Sequence, residues 1–187
     1  QKIHKKIQKS LDRDHLNTVH DIIYNTKKTE CMLFYSGTHM NIQPTVKLCG
    51  DNLKVVERFT YLGHVLVSSL LDDQDIERQY RSLCCRANMM KRKFYACSNE
   101  VKTLLFKSYC TSLYTSQLWV QHTIKSLCKF TVLYNNAFRW LMGLSKCCSA
   151  SGMFVSNRVL SFGELRRKLV HGFQCRLFKS NNILIKQ

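Results

Sequence analysis

Three carboxylates cluster between residues 72 and 75, at Asp72, Asp73 and Asp75. Neighbouring aspartates are the residue types that hold Mg²⁺ for phosphoryl transfer, because their oxygens position the metal against the attacking and leaving oxygens. The same three residues also open a segment whose apolar residues recur with helical spacing. Since the dipole of a helix favours anions at its N-terminus, we predict that these aspartates cap a helix.

Ten cysteines and seven histidines are the other potential metal ligands. The cysteines occur singly or as the adjacent pairs Cys84-Cys85 and Cys147-Cys148, and neither C-x2-C nor C-x4-C spacing occurs. Adjacent side chains on a helix point about 100° apart and do not easily share one metal ion. The histidines share no motif spacing. We therefore expect no metal site, and we interpret the cysteines as free thiols that act as small hydrophobic residues.

Positive charge is distributed very unevenly along the chain, whose net charge is +17. Residues 1–77 contain 10 Lys+Arg and 10 Asp+Glu, whereas residues 78–187 contain 19 Lys+Arg and only Glu100 and Glu164 as acids. The whole excess therefore lies in the last 110 residues. Concentrated positive charge favours a polyanionic partner, because each neutralised phosphate releases condensed counterions. A merely solvated, soluble surface is the alternative interpretation.

Short apolar runs in the first part of the chain predict β-structure. Ile22–Tyr24 and Cys31–Phe34 flank a polar turn, which predicts strand, turn and strand. Val46–Val55 contains a turn signal around its glycine and predicts a hairpin. Phe59–Val67 predicts a further strand that is interrupted by a glycine, a position that usually marks a bulge or a close backbone approach.

Helical periodicity replaces the β-pattern after Ser69. Over Asp75–Phe94, one face of the predicted helix carries Arg78, Arg81 and Arg92. The opposite, apolar face consists of Ile76, Tyr80, Leu83, Ala87, Met90 and Phe94.

Three more helices are predicted towards the C-terminus. Ser98 can cap the second helix, and we expect its inward residues to be Val101, Leu104, Leu105, Tyr109 and Leu113. A third helix runs from about His122 to Met142 and stops at Gly143. Ser161–Glu164 is a capping box that opens the fourth.

The predicted fold class is α+β, with a small antiparallel β region followed by a predominantly α-helical region. We divide the chain into residues 1–20, a basic N-terminal helix; residues 21–70, the β region; and residues 71–187, the helical region.

Several of these segments resemble one known family. Asn25-Thr26-Lys27-Lys28-Thr29 and the run Glu30–Phe34 after it resemble the N-x-x-K-[ST] turn and strand of a polymerase palm. Phe59-Thr60-Tyr61-Leu62-Gly63 is similar to the F-x-Y-L-G of a primer grip, and residues 72–79 resemble the start of a thumb. With residues 105–119 and 134–139, the chain resembles the C-terminal palm and thumb of reverse transcriptases from LINE-type (non-LTR) retrotransposons, over about residues 21–184. Residues 1–20 do not match the family.

The resemblance implies RNA-directed DNA synthesis with Mg²⁺ held by palm aspartates in the intact family enzyme. In the family, the key pair lies in an aromatic-x-Asp-Asp turn before the first of these motifs, and this chain has no such turn. Asp72-Asp73 comes after the primer-grip motif, so we do not take it as a substitute. We expect no catalytic residue and no cofactor in this chain, and therefore no polymerisation by this chain alone.

The resemblance does imply contacts to a primer–template duplex. Lys28 would lie near the phosphates of the incoming nucleotide, although a solvent-exposed turn lysine is the alternative. The primer-grip hairpin would be formed by Phe59, Tyr61, Leu62 and Gly63, the alternative being an ordinary buried strand. Arg78, Arg81 and Arg92 would follow the duplex backbone from the thumb helix, unless they form a salt-bridged or solvated face.

Three aromatic residues have two interpretations. Tyr114, Trp119 and Trp140 could stack on bases, but aromatic residues at this spacing more often belong to a core.

Two other functions stay open beside nucleic-acid binding. One is an enzyme, if the chain is part of a longer reverse transcriptase whose N-terminal portion supplies the catalytic aspartates. The other is a helical protein-interaction module, or a decayed transposon product without activity. No apolar run approaches the ~20 residues of a membrane span, and no secretory leader pattern opens the chain. We expect no membrane partner and an intracellular, nuclear or cytoplasmic, location.

Overall fold

The computed structural model describes residues 25, 27–35, 45–48, 50–182 and 185. The predictions made for residues 1–20 and for the strand at residues 22–24 lie outside these residues. The strands are β1 (Glu30–Met32), β2 (Lys47–Leu48), β3 (Asp51–Asn52), β4 (Lys54–Val56), β5 (Arg58–Tyr61) and β6 (His64–Val67). The helices are α1 (Asp73–Lys93), α2 (Asn99–Tyr109), a 3₁₀ turn (Ser116–Leu118), α3 (Ile124–Met142), α4 (Ala150–Ser156) and α5 (Phe162–Lys179). The predicted α+β class is confirmed.

Two compact units make up the chain. The first comprises residues up to 60 together with 66–70, and the second comprises residues 61–65 and everything from 71 onward. The turn end of the β5–β6 hairpin therefore belongs to the second, helical unit.

Small two-stranded sheets form the β-structure of the first unit. The predicted hairpin is present, because β2 pairs with β3 in antiparallel fashion. By contrast, β1 pairs with β4 in parallel, with Glu30 opposite Lys54, where we expected antiparallel pairing throughout. The Lys54 ammonium lies 2.8 Å from the Glu30 carboxylate across this pair. Val46, Leu48 and Leu53 form a cluster of buried apolar side chains in the described part of this unit, and the partly buried Cys31 packs against it.

A hairpin replaces the single interrupted strand that we predicted over residues 59–67. β5 and β6 pair with each other, and Leu62 and Gly63 form the two-residue turn with φ values of +46° and +77°. Two successive positive φ angles are typical of type I′ turns, whose twist matches that of the flanking strands.

The helical unit is held by an aromatic core. Phe106 of α2 packs edge-to-face against Tyr134 and Phe138 of α3, with ring centroids 5.2 and 4.9 Å apart. Phe154 of α4 and Phe162 of α5 complete the aromatic group around Tyr134. The buried face of α1 includes Ile76, Leu83, Ala87 and Met90, as predicted.

Local end signals set the helix boundaries. The side chain of Ser98 accepts from the amide of Val101, and Gly143, with φ +68°, ends α3. The predicted capping box is formed, because the amide of Ser161 donates to Glu164 at 2.8 Å and the amide of Glu164 donates back to the Ser161 hydroxyl. The short helix α4 was not predicted.

The predicted inward face of α2 is confirmed for Leu113, which is buried, and for Leu105, which packs against the core, but it is wrong for the other three residues. Val101, Leu104 and Tyr109 are exposed, whereas Phe106 and the following Cys110 are buried. Apolar residues lie almost all round this helix, so spacing by itself did not distinguish the buried side from the exposed one.

Candidate nucleic-acid interface

Asp75 organises the part of the helical unit that faces the hairpin turn. Its side chain is fully buried in the first turn of α1. One oxygen accepts from the Val65 amide at 3.1 Å and from Arg78 Nε at 2.8 Å. The other accepts from the Thr115 hydroxyl at 2.7 Å and from Trp119 Nε1 at 2.8 Å. One carboxylate thus joins the hairpin, α1 and the 3₁₀ turn.

The four hydrogen-bond donors around Asp75 favour its ionised form. Burial alone would raise the pKa of Asp75, but the hydrogen bonds from Arg78, Trp119, Thr115 and Val65 outweigh it and lower that pKa below its ordinary value. The ionised form is therefore the one that the fold stabilises. His64 lies beside it, with Nδ1 3.2 Å from Asp75 Oδ2.

Asp72 and Asp73 bind the segment before α3 and not the amides of their own helix. Asp72 occupies the N-cap position of α1 without a side-chain capping bond, and its Oδ2 accepts from the amides of residues 120 and 121 at 2.8 Å. Asp73 accepts from the hydroxyls of Thr123 and Ser126. The predicted place of the aspartates at the start of α1 is confirmed. Their side chains do not cap its amides, because donors at the start of another helix lie within their reach.

The Mg²⁺ that the resemblance implies does not fit this carboxylate group. Asp72, Asp73 and Asp75 already accept hydrogen bonds from protein donors, and Asp75 is sealed from solvent. Elsewhere in the described part of the chain, no three His, Cys, Asp or Glu side chains are grouped so that they could hold a metal ion. The nine cysteines that the structure describes are free thiols.

Arg78 has a structural role. Its guanidinium forms the ion pair with Asp75 and donates to the Thr115 hydroxyl at 3.3 Å. Only 31% of its side chain is exposed. The salt-bridged alternative therefore describes Arg78, although we had placed it along the duplex.

Arg81 and Arg92 lie on the solvent side of α1, as predicted. The Arg81 side chain is 77% exposed and its Nε lies 3.4 Å from Glu77. Arg92 is exposed between Lys91 and Lys93 at the end of the helix, and no carboxylate of the described chain lies within 4 Å of any of the three. The two predicted contact arginines therefore differ, since only Arg92 is unpaired.

The hairpin turn presents apolar side chains to solvent. Tyr61 and Leu62 are exposed, so the buried-strand alternative does not describe this end of the hairpin. A Cβ on Gly63 would lie 3.3 Å from the ring of Tyr114, which is the close approach that the glycine predicted. Tyr114 itself is 60% exposed, and its contact with the turn was not predicted.

Two predicted contact residues belong to the first unit. Lys28 is exposed in a turn in which its amide donates to the backbone and side-chain oxygens of Asn25 at 3.1 and 3.2 Å. Phe59 is also exposed, on β5. Their contacts to nucleic acid stay predictions.

The other two aromatic candidates belong to the core. Trp119 is 2% exposed and donates to Asp75, and Trp140 packs against the core cluster. Tyr114 is the most exposed of the three.

Most cations of the helical unit have no acidic partner. Among the described lysines and arginines beyond Tyr61, only Arg78, Arg81 and Lys129 lie within 4 Å of a carboxylate. Three more arginines donate to backbone carbonyls, namely Arg86, Arg139 and Arg166. The remainder are Lys91, Arg92, Lys93, Lys102, Lys107, Lys125, Lys146, Arg158, Arg167, Lys168, Arg176 and Lys179. We call this set the unpaired cations.

No helix in the described ranges is both long and apolar enough to cross a membrane. Comparisons with protein-family models, with curated proteins and with solved structures found no match to this chain.

Proposed function

We propose that this chain is a piece of an RNA-directed DNA polymerase that binds primer–template nucleic acid through its helical unit and does not polymerise by itself. The unpaired cations are the observation that carries the proposal. A folded surface that carries this many unneutralised charges of one sign repels itself, and a polyanion relieves that repulsion.

The acids of the helical unit cannot neutralise these cations from within. Asp72, Asp73 and Asp75 accept from backbone amides, hydroxyls and Arg78. Glu77 is shared by Arg81 and Lys129. Glu164 is engaged with Ser161 in the capping box, and Glu100 accepts from Ser98 at the start of α2. Phosphates are therefore the anions that best match the surface.

The hairpin supports the same proposal from its geometry. Its turn is joined to the helical unit through the Val65–Asp75 hydrogen bond and through the contact of Gly63 with Tyr114. Tyr61 and Leu62 consequently project from a fixed base. A partly apolar turn attached to the unit that carries the unpaired cations suits the positioning of a nucleic-acid backbone, which is the role that the primer-grip resemblance implies.

A protein-interaction module is the second candidate. Val101, Leu104 and Tyr109 leave an apolar side of α2 exposed, and such patches often mark protein contacts. Lys102 and Lys107 lie on the same helix, so an acidic protein surface would be the expected partner in that case.

Salt-dependent duplex binding separates these two functions. We expect fluorescence anisotropy with a labelled primer–template duplex to show an affinity that falls steeply with salt concentration. The double variant Lys91→Ala/Arg92→Ala should reduce the slope of log Kd against log salt by about 2. The matched control Arg81→Ala/Lys129→Ala removes the same charge from residues already paired with Glu77 and should reduce it less.

A primer-extension assay with Mg²⁺ completes the test. The chain alone should incorporate no nucleotide, because it has no aromatic-x-Asp-Asp turn. Extension of the primer would contradict the second half of the proposal. Salt-independent or absent duplex binding would contradict the first half and favour the protein-interaction module.

A further inference from the structure

A groove between α3 and α5 has a composition suited to one particular ligand class. Its volume is about 500 Å³, within the range of sites that take small ligands or single groups. Leu127, Phe162 and Val170 supply an apolar floor. Arg166, Arg167 and His171 lie along the same groove, and no carboxylate lines it.

The arginines of the groove have incomplete partners. One terminal nitrogen of Arg166 donates to the Trp119 carbonyl at 2.7 Å and lies 3.0 Å from His122 Nε2. Its Nε is buried, yet no acceptor within the described chain bonds it. Arg167 is exposed. The nearest acid on the helix is Glu164, which interacts electrostatically with Arg167 but forms its hydrogen bonds with Ser161.

Three other cations of α5 lie on the side of the helix away from the groove. Lys168, Arg176 and Lys179 are exposed on this helix and belong to the unpaired cations. A ligand in the groove would therefore use Arg166 and Arg167, whereas Lys168 is a cation of the same helix outside the groove.

We propose that this groove holds one unpaired nucleotide of a single strand, with the base on the apolar side chains and the adjoining phosphates on the two guanidinium groups that line the groove, those of Arg166 and Arg167. The inference rests on the proposed function and adds a single-strand subsite to it. A base joins a flat apolar face to an anionic backbone, which matches a floor without carboxylates and a rim of cations. The groove is far too small for a duplex, so an unpaired stretch next to the duplex is the form that it accepts.

Two adjacent cations on α5 provide a matched pair of variants. Arg167→Ala removes a cation that lines the groove, and Lys168→Ala removes an equal charge that does not. Val170→Glu places a carboxylate in the groove. Anisotropy would be measured for each variant with a labelled oligodeoxythymidylate and with a blunt duplex at one salt concentration, and thermal unfolding would verify the fold.

The expected result is specific for the single strand. Arg167→Ala and Val170→Glu should weaken oligodeoxythymidylate binding by about tenfold, and Lys168→Ala should weaken it by about twofold, as a general loss of charge. Duplex binding should change equally, and little, in Arg167→Ala and Lys168→Ala. If Val170→Glu fails to fold, the comparison of those two variants still decides the question.

Other outcomes would overturn the inference in distinguishable ways. Equal losses of single-strand affinity in Arg167→Ala and Lys168→Ala would show that the groove has no role. If Val170→Glu weakens the binding of an acidic apolar peptide and leaves the affinity for the oligonucleotide unchanged, the groove binds a protein ligand. Duplex binding without single-strand binding would remove this inference alone, whereas the loss of both in the wild type would remove the proposed function as well.

Discussion

Asp75 shows how one buried charge is tolerated. A carboxylate sealed from water is costly unless donors surround it, and here an amide, a guanidinium, a hydroxyl and an indole all donate to it. Removal of the carboxylate leaves those donors, including the half-buried Arg78, without their acceptor. The residue therefore fixes the hairpin turn on the helical unit.

Asp75→Asn should destabilise the protein by about 3–5 kcal/mol at neutral pH, because breaking a buried pair leaves an uncompensated charge. Chemical denaturation of the wild type and the variant would measure this. Glu77→Gln, two residues along the same helix, is the control. Its ion pairs are exposed to solvent, so we expect it to cost no more than about 1 kcal/mol.

The destabilisation caused by Asp75→Asn should also depend on pH. Because the folded protein lowers the pKa of Asp75, its contribution to stability is present above the ordinary carboxyl pKa of about 3.9. The contribution is lost as the pH falls through the lower, folded-state pKa. The difference in unfolding free energy between the wild type and Asp75→Asn should therefore narrow below about pH 4. A difference that stays constant down to acid pH would contradict this account.

At the scale of elements, the two-residue turn of the β5–β6 hairpin combines two constraints. Gly63 has a positive φ, and Tyr114 leaves little room for a side chain there. Gly143 at the end of α3 has a similar φ, but a Cβ added to it would meet nothing within 4 Å. A substitution at Gly143 therefore tests backbone strain alone, whereas a substitution at Gly63 tests backbone strain together with steric crowding.

Gly143→Ala should cost about 1 kcal/mol, the conformational penalty alone. Gly63→Ala should cost more, about 2 kcal/mol, because the tyrosine ring must also move. Unfolding free energies of both variants would be measured together with Gly63→Ala/Tyr114→Ala. In a double-mutant cycle the excess cost at Gly63 should disappear when the ring is absent. Equal costs at the two glycines would show that Tyr114 does not crowd the turn.

At the scale of the whole molecule, net charge by itself does not identify a binding surface. The helical unit contains arginines that hold the fold together, such as Arg78, and arginines that face solvent without a partner, such as Arg92. Both lie on the side of α1 that the sequence assigns to nucleic acid. The structure distinguishes their roles, because Arg78 lies within reach of the Asp75 carboxylate and Arg92 has no carboxylate within 4 Å in the described chain.

Substitution of each arginine should therefore have a different consequence. Arg92→Ala should leave the melting temperature unchanged and reduce the salt slope of duplex binding by about 1, as expected for one lost phosphate contact. Arg78→Ala should lower the stability by about 3 kcal/mol, because Asp75 stays buried without its cation. Thermal unfolding and anisotropy titrations on the same samples would measure both. A stable Arg78→Ala protein with weakened binding would restore Arg78 to the interface.

The sequence by itself determined the α+β class, the uneven charge and most helix ends. These features depend on interactions over three or four residues, such as the Ser161–Glu164 capping box and the glycine after α3, so periodicity and capping residues are sufficient to predict them. The same holds for the apolar part of the buried face of α1, although periodicity did not predict that Asp75 and Gln79 are buried beside it.

Only the tertiary structure determined which charged side chains have a bonding partner within the fold. The parallel pairing of β1 with β4 joins residues 24 positions apart, and Asp75 meets Thr115 and Trp119 across 40 and 44 positions. A carboxylate can be buried only where hydrogen-bond donors surround it, and here those donors come from segments far apart in the sequence. A local sequence pattern therefore cannot predict the burial. The same physical reason explains why the exposed side of α2 and the contact of Tyr114 with the hairpin turn became visible only in the folded chain.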